Sequence, residues 1–178
     1  MKVTVIGTGY VGLVSGAVFA ELGHDALCID NDAKKIALLE KGVMPIYEPG
    51  LDELVAKNRK SKRLKFAGTI EEGMKHGEVV FICVGTPPLP SGAPDLSQID
   101  AVSREIAKHL KGYRVIVEKS TVPVQTGEKV RQVITKYAKA GSEFDVVSNP
   151  EFLREGSAVE DAFHPDRIVI GAESARAK

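Results

Sequence analysis

The first residues that could do chemistry are three glycines, Gly7, Gly9 and Gly12, in the run GTGYVG. They follow a β-branched run at residues 3–6 and open an Ala/Val-rich stretch, so they sit where a strand feeds a helix. In that setting the first glycine permits a tight turn. The second lets a pyrophosphate approach bare backbone, and the third lets helix and strand pack closely. The helix start then offers unpaired N–H groups and a partial positive charge to an anion. Asp30 ends the next β-branched run, about 20 residues past the glycines, where a carboxylate can accept from adenosine ribose hydroxyls. A phosphate on that ribose would meet like charge, so the two features together read as an NAD site rather than an NADP site. Two competing readings stay open: Lys34 and Lys35 could offset such a phosphate, and Asp30 in the run DND could be a helix N-cap.

The elements that must hold these residues alternate from the first residue. Apolar runs at residues 3–6, 26–29, 79–84, 115–117, 146–147 and 168–170, with a weaker one at 64–67, predict strands; most are continuous, as for strands buried on both faces. Residues 10–22, 33–41, 51–60, 99–110 and 127–140 predict helices, with Gly23, Gly42 and Gly141 as stops. Strand–helix alternation of this kind predicts an α/β fold, a doubly wound and mostly parallel Rossmann-type sheet with helices on both faces. The Pro/Gly-rich segment 87–94 predicts a loop over the carboxyl end of the sheet, where ligands of such folds bind.

Composition narrows the partners. The 178 residues carry 24 Lys plus Arg against 24 Asp plus Glu, so no net field draws the chain to nucleic acid or an anionic membrane. There is no Trp and aromatics are 6%, which leaves no stacking platform for nucleic acid. No apolar run reaches the roughly 18 residues of a membrane helix. Cys28 and Cys83 lie within apolar strand-like runs and read as reduced core thiols of a cytoplasmic protein. No His/Cys cluster suggests a metal, and His164 beside Pro165 reads as a turn residue.

Four further segments, YEPGL (47–51), VGTP (84–87), KSTVP (119–123) and NPEFLREG (149–156), join GTGYVG and HPDRIVIG (164–171). Along its whole length the chain resembles the UDP-glucose/GDP-mannose dehydrogenase family, and HPDRIVIG looks most like the UDP-glucose branch. The resemblance implies oxidation of the primary hydroxyl of a nucleotide-bound sugar to a carboxylate, using two NAD; for the UDP-glucose branch this is UDP-glucose to UDP-glucuronate. It implies that Gly7, Thr8, Gly9, Tyr10, Val11 and Gly12 hold the pyrophosphate, Asp30 the ribose, and Lys35 the same nucleotide half. Gly85, Thr86, Pro87, Ser120 and Thr121 would line the cofactor channel. Thr121 would also orient a water, and Glu151 would be the acid/base that activates water against a thioester. Phe152, Leu153 and Arg154 would line the sugar-nucleotide side, and Glu155 would lie near the nicotinamide end.

Blander roles compete. Thr121 could cap the turn before Pro123, Glu151 could cap a short helix through Phe163, and Glu48 reads as a solvated loop carboxylate. The family run V-G-T-G reads Val124, Gln125, Thr126, Gly127 here, which puts a side chain where the pattern has none. The resemblance further implies two Rossmann-like domains joined by a long helix, often dimeric through it. Residues 1–178 match the first domain. The central helix and the C-terminal UDP-sugar domain, with their nucleophilic cysteine, are expected to lie outside this chain. The 178 residues alone are therefore expected to bind NAD, possess no sugar-nucleotide turnover, and be monomeric where the whole protein is a homodimer. A GDP-mannose-type enzyme and a non-catalytic, stand-alone NAD-binding module are the alternatives.

Overall fold

Fourteen elements follow one another along the chain: β1 (Lys2–Ile6), α1 (Tyr10–Glu21), β2 (Asp25–Ile29), α2 (Ala33–Glu40), α3 (Leu51–Lys60), β3 (Leu64–Ala67), α4 (Ile70–His76), β4 (Val79–Ile82), α5 (Ser97–His109), β5 (Arg114–Glu118), α6 (Thr126–Tyr137), β6 (Phe144–Ser148), α7 (Ala158–Phe163) and β7 (Gly171–Ala172). This is a computed structural model, and it describes residues 1–178. One sheet runs in the order β3-β2-β1-β4-β5-β6-β7. Six strands are parallel and β7 alone is antiparallel, on β6. The chain reverses its direction of travel across the sheet between β1 and β4, the place where doubly wound sheets bind ligands at their carboxyl ends.

The continuous apolar runs follow from burial on both faces. Val3 and Val5 point into a core with Leu13, Val14, Ala17, Leu51, Val55 and Ala158, from α1, α3 and α7. Ile6 and Ile82 point into a second core with Met74, Ile106 and Ile134, from α4, α5 and α6. Cys28 and Cys83 are both free thiols inside the first core. No helix is long and apolar enough to cross a membrane.

Helix α4 was not expected from periodicity, because it is short and contains Gly73. Its start is nonetheless written in the sequence as a capping box. Thr69 accepts from the Glu72 N–H at 3.3 Å and its hydroxyl donates to the Glu72 carboxylate at 2.6 Å. The glycine has a packing reason: a Cβ on Gly73 would stand 2.8 Å from Thr4 Cγ2.

Residues 168–170 are not a strand. Ile168, Val169 and Ile170 are 68%, 44% and 62% exposed, and the two-residue β7 comes just after them. The Asn149 side-chain amide donates to the Val169 carbonyl at 2.9 Å, taking an acceptor that a ladder would use. Helix α6 ends at Tyr137, three residues short of the expected end at residue 140, because Ala138 is extended. It starts at Thr126 behind Gln125, whose φ of 72° is left-handed. This is backbone that glycine adopts without strain and other L-residues at about 1–2 kcal/mol.

Gln125→Gly should therefore stabilise the protein by about 0.5–1 kcal/mol, the relief of strain less glycine's greater unfolded-state freedom. Thermal unfolding reads this as a rise in Tm; an unchanged or lower Tm would mean that the Gln125 side chain offsets its own strain.

Candidate functional site

Each glycine of the opening turn is required for a separate reason. Gly7 has φ of 102°, and a Cβ there would meet the Cys83 carbonyl oxygen at 2.5 Å. A Cβ on Gly12 would stand 1.9 Å from the Gly7 carbonyl oxygen, so α1 presses directly on the turn. A Cβ on Gly9 would meet nothing within 4 Å. The protein itself leaves that position free, so the space above it suits a group from outside. Gly9 is also the N-cap of α1 and supplies no side-chain cap. The first-turn N–H groups, including those of Tyr10, Val11 and Gly12, have no intrahelical acceptor. Bare backbone, open space and a helix N-terminus fit a pyrophosphate.

Asp30 lies one residue beyond β2, beside this turn. Its Oδ2 accepts from Thr8 N–H at 2.9 Å, the Thr8 hydroxyl at 2.7 Å and Lys35 Nζ at 3.0 Å, while Oδ1 accepts from Asp32 N–H at 3.0 Å. Burial raises the Asp30 carboxyl, but these hydrogen bonds outweigh it and hold the group below the usual carboxylate range. The side chain is therefore anionic, and Oδ1 keeps a lone pair for a ribose hydroxyl. The helix cap is Asp32, which accepts from the N–H groups of Lys34 and Lys35. Lys35 is engaged with Asp30 itself, so its charge is already matched.

Across the sheet switch, Gly85, Thr86 and Pro87 follow β4. The Thr86 hydroxyl donates to the Thr121 carbonyl at 2.8 Å, tying the loop after β4 to the loop after β5. A Cβ on Gly85 would also meet nothing within 4 Å. Ser120 is buried and its hydroxyl donates to the Val84 carbonyl at 2.8 Å, so that hydroxyl braces the two loops. Thr121 is exposed, and the cap of the turn at Pro123 is Thr126, which donates to the Pro123 carbonyl at 2.8 Å.

Residues 149–156 form a loop beside a cleft of about 540 Å³ lined by Lys119, Asn149, Glu151, Phe152, Leu153 and Arg154, together with α1 and α7. The structure gathers Glu151, Phe152, Leu153 and Arg154 there, whereas the glycine turn, Asp30, Thr121 and Glu155 lie outside the cleft lining. Glu151 Oε2 accepts from the Leu153 N–H, so Glu151 caps its own loop and not α7. Arg154 forks onto Asp161, with its Nη2 at 2.6 Å from Oδ1, and holds that carboxyl down at about 2. The Arg167 guanidinium lies 4.4 Å over the exposed Phe152 ring. Lys119, which the sequence did not single out, bonds Asn149 Oδ1 at 3.2 Å; burial draws its ammonium below the usual range.

The expectation for Glu48 is overturned. It is not a solvated loop carboxylate but 4% exposed, with Gly156 N–H at 2.8 Å, Ala158 N–H at 2.7 Å and the Tyr10 hydroxyl as donors. Its partners are far away in sequence, and the only signal was its place in the YEPGL motif. The two cysteines behave as expected of core thiols: burial pushes Cys83 up to about 12 and Cys28 higher still. No three His, Cys, Asp or Glu side chains group to hold a metal ion.

Two outcomes test this geometry. Gly9→Ala should leave Tm within about 2 °C, since its methyl meets no protein atom, yet weaken NAD binding by about tenfold or more by calorimetry; Gly12→Ala should instead lower Tm by several degrees. Equal Tm losses would show that the space over Gly9 is not free. The second concerns Glu118 at the end of β5, which is buried with Oε1 unpartnered. Burial pushes its carboxyl up to about 7, against about 4.3 unfolded. A raised folded value means stability that is fully present below the unfolded value and lost as pH rises through about 7. Glu118→Gln should thus raise Tm more at pH 8 than at pH 5, and an equal gain at both would contradict the raised value.

Residues 1–178 match the model of the UDP-glucose/GDP-mannose dehydrogenase family, NAD binding domain. The chain is 54% identical over 174 residues to a UDP-glucose 6-dehydrogenase of Rhizobium meliloti (strain 1021), covering 97% of this chain and 40% of that one. A UDP-glucose 6-dehydrogenase of Bacillus subtilis (strain 168) is 51% identical over 176 residues, covering 99% of this chain and 38% of the relative. Among solved structures, a UDP-glucose dehydrogenase from the hyperthermophilic archaeon Pyrobaculum islandicum superposes with a TM-score of 0.95 at 44% identity, over 99% of this chain and 42% of that one. The chain thus spans about two fifths of the length of these proteins. The bare glycine turn, the anionic Asp30 beside it and the whole-chain match lead to one conclusion: this chain belongs to the UDP-glucose/GDP-mannose dehydrogenase family and is its NAD-binding domain.

Proposed function

We propose that the chain is the cofactor-binding part of a cytoplasmic, homodimeric UDP-glucose 6-dehydrogenase that oxidises UDP-glucose to UDP-glucuronate with two NAD. The observation that carries the cofactor half is the turn at Gly9, where bare backbone at a helix N-terminus stands beside an anionic Asp30 with an oxygen lone pair to spare. The sugar half rests on relatives that are UDP-glucose 6-dehydrogenases. In this reading the free N–H groups of residues 9–12 take the pyrophosphate, since those of Gly7 and Thr8 are committed to Ile29 and Asp30; Asp30 Oδ1 takes a ribose hydroxyl, and Lys35 steadies Asp30 from the other side. Gly85, Thr86 and Pro87 line the path toward the reacting end, with Ser120 bracing it. When bound, NAD supplies a ring that accepts hydride.

The remaining roles belong to polar groups that are free to act. The Thr121 hydroxyl can donate and accept, and so can orient a water without carrying charge. Glu151 keeps one carboxylate oxygen unengaged, which suits a group that holds and releases a proton near a reacting carbon. Phe152, Leu153 and Arg154 face the cleft that would take the sugar nucleotide, and Glu155 is exposed at the end of the same loop. The nucleophile and the contacts to the base are assigned to the part of the protein beyond residue 178, so the 178 residues alone bind NAD without turnover.

Assay of the full-length gene product tests this. UDP-glucose should yield two NADH per sugar, with kcat/KM at least about 100-fold above that for GDP-mannose. Asp30→Ala should weaken NAD binding by about tenfold or more, the loss of a hydrogen bond to a charged group, and narrow the preference over NADP. Preferred turnover of GDP-mannose would move the protein to the other branch, and undiminished NAD affinity would remove Asp30 from the ribose.

A further inference from the structure

Three segments meet at one buried carboxylate. Glu48, in the loop before α3, receives Gly156 N–H on Oε2 and Ala158 N–H on Oε1, and the Tyr10 hydroxyl donates to Oε2. Gly156 N–H also reaches the Tyr10 oxygen at 3.0 Å, and that oxygen lies 3.3 Å from the Arg154 carbonyl. Tyr10 is itself the first residue of α1, where the glycine turn ends. Burial and the Glu48 bond together push the Tyr10 phenol up to about 12, so it keeps its proton.

We infer that Glu48 and Tyr10 are a positioning pair: they fix the Arg154-Glu155-Gly156 peptide against the dinucleotide turn and thereby set turnover without setting cofactor affinity. The inference rests on the function proposed above. Both carboxylate oxygens of Glu48 are spent on protein donors, which leaves none directed at a phosphate. The Tyr10 side chain points back toward the 154–156 peptide, while only its backbone belongs to the phosphate turn. The loop at 149–157 has no ladder of its own to fix it, so its placement depends on such side-chain anchors. A carboxylate suits the task because it accepts from two N–H groups at once. A carboxamide cannot, since one of its two ends is a donor that would face an N–H.

The experiment has two parts. In this chain, with saturating NAD, amide hydrogen exchange at Gly156 and Ala158 should quicken at least about tenfold in Glu48→Gln and, at Gly156, several-fold in Tyr10→Phe, while the Kd for NAD stays within about threefold. In the full-length enzyme both variants should lower kcat, by about tenfold or more for Glu48→Gln, with the KM for NAD little changed. Phenylalanine keeps the ring of Tyr10, so that variant carries the test if Glu48→Gln does not fold. Unchanged exchange in the folded variants overturns the pair. So does faster exchange with kcat within twofold of wild type, and so does a loss of NAD affinity that accounts for the fall in rate. If the wild type does not oxidise UDP-glucose, the proposed function fails, and the exchange measurement still judges whether the pair holds the peptide.

Discussion

The glycine with least room for a side chain is Gly12, where an added Cβ would stand 1.9 Å from the Gly7 carbonyl oxygen. That contact presses the start of α1 onto the end of β1. It continues along the helix, since a Cβ on Gly16 would stand 2.3 Å from Cys28 Sγ on β2. Two glycines therefore let one helix lie flat on two strands, and Leu13, Val14 and Ala17 fill the space beside them. Because α1 is held this way at its first turn, its N-terminus ends at the carboxyl edge of the sheet rather than above a face. The anion site is a consequence of packing as much as of the loop sequence.

Electrostatics here is local. With 24 basic and 24 acidic side chains there is no field to rely on, and each buried carboxylate is decided by its own donors. Asp30 is half-buried and Glu48 buried, and in both the hydrogen bonds outweigh the burial, so each is anionic. Glu118 is buried among similar strands with one oxygen unpartnered, and there burial prevails. The same side-chain chemistry is shifted in opposite directions, because desolvation of a carboxylate is compensated only by donors that reach it. That contrast separates the two partnered carboxylates, which organise the crevice, from one whose Oε1 has no donor.

What the sequence shows of this depends on distance along the chain. The glycine turn, Asp30 and six of the strands were legible because their logic is local: a run of β-branched residues, a turn that only glycine can make, an acid at a strand end. Capping of α4 by Thr69 and Glu72 was equally local, though hidden by Gly73 and by brevity. Glu48 was not legible, since its donors are 38, 108 and 110 residues away. The Ser120 hydroxyl is committed to Val84, 36 residues earlier, and no spacing rule encodes that. Ile168, Val169 and Ile170 misled for the opposite reason. Their local pattern favours a strand, but burial of that pattern requires a neighbour that this part of the sheet does not supply.

The loop at residues 149–156 is where packing and local electrostatics meet. It lies between the cleft beside α1 and α7 and the glycine turn, and it is held almost wholly by side chains. Lys119 holds Asn149, Asn149 holds Val169, Arg154 holds Asp161, Arg167 covers Phe152, and Glu48 with Tyr10 holds Gly156. Most of these anchors are exposed or polar, so each contributes little to global stability, while Glu48 is buried and bonded to main-chain N–H groups. Loss of an exposed anchor would loosen one residue. Loss of the buried one would release a peptide, leave the Ala158 N–H without an acceptor and leave the Gly156 N–H only the Tyr10 oxygen. The geometry of the loop is therefore more sensitive to a residue outside its own sequence than to those within it, which is why the constraint on this segment sits in the loop before α3.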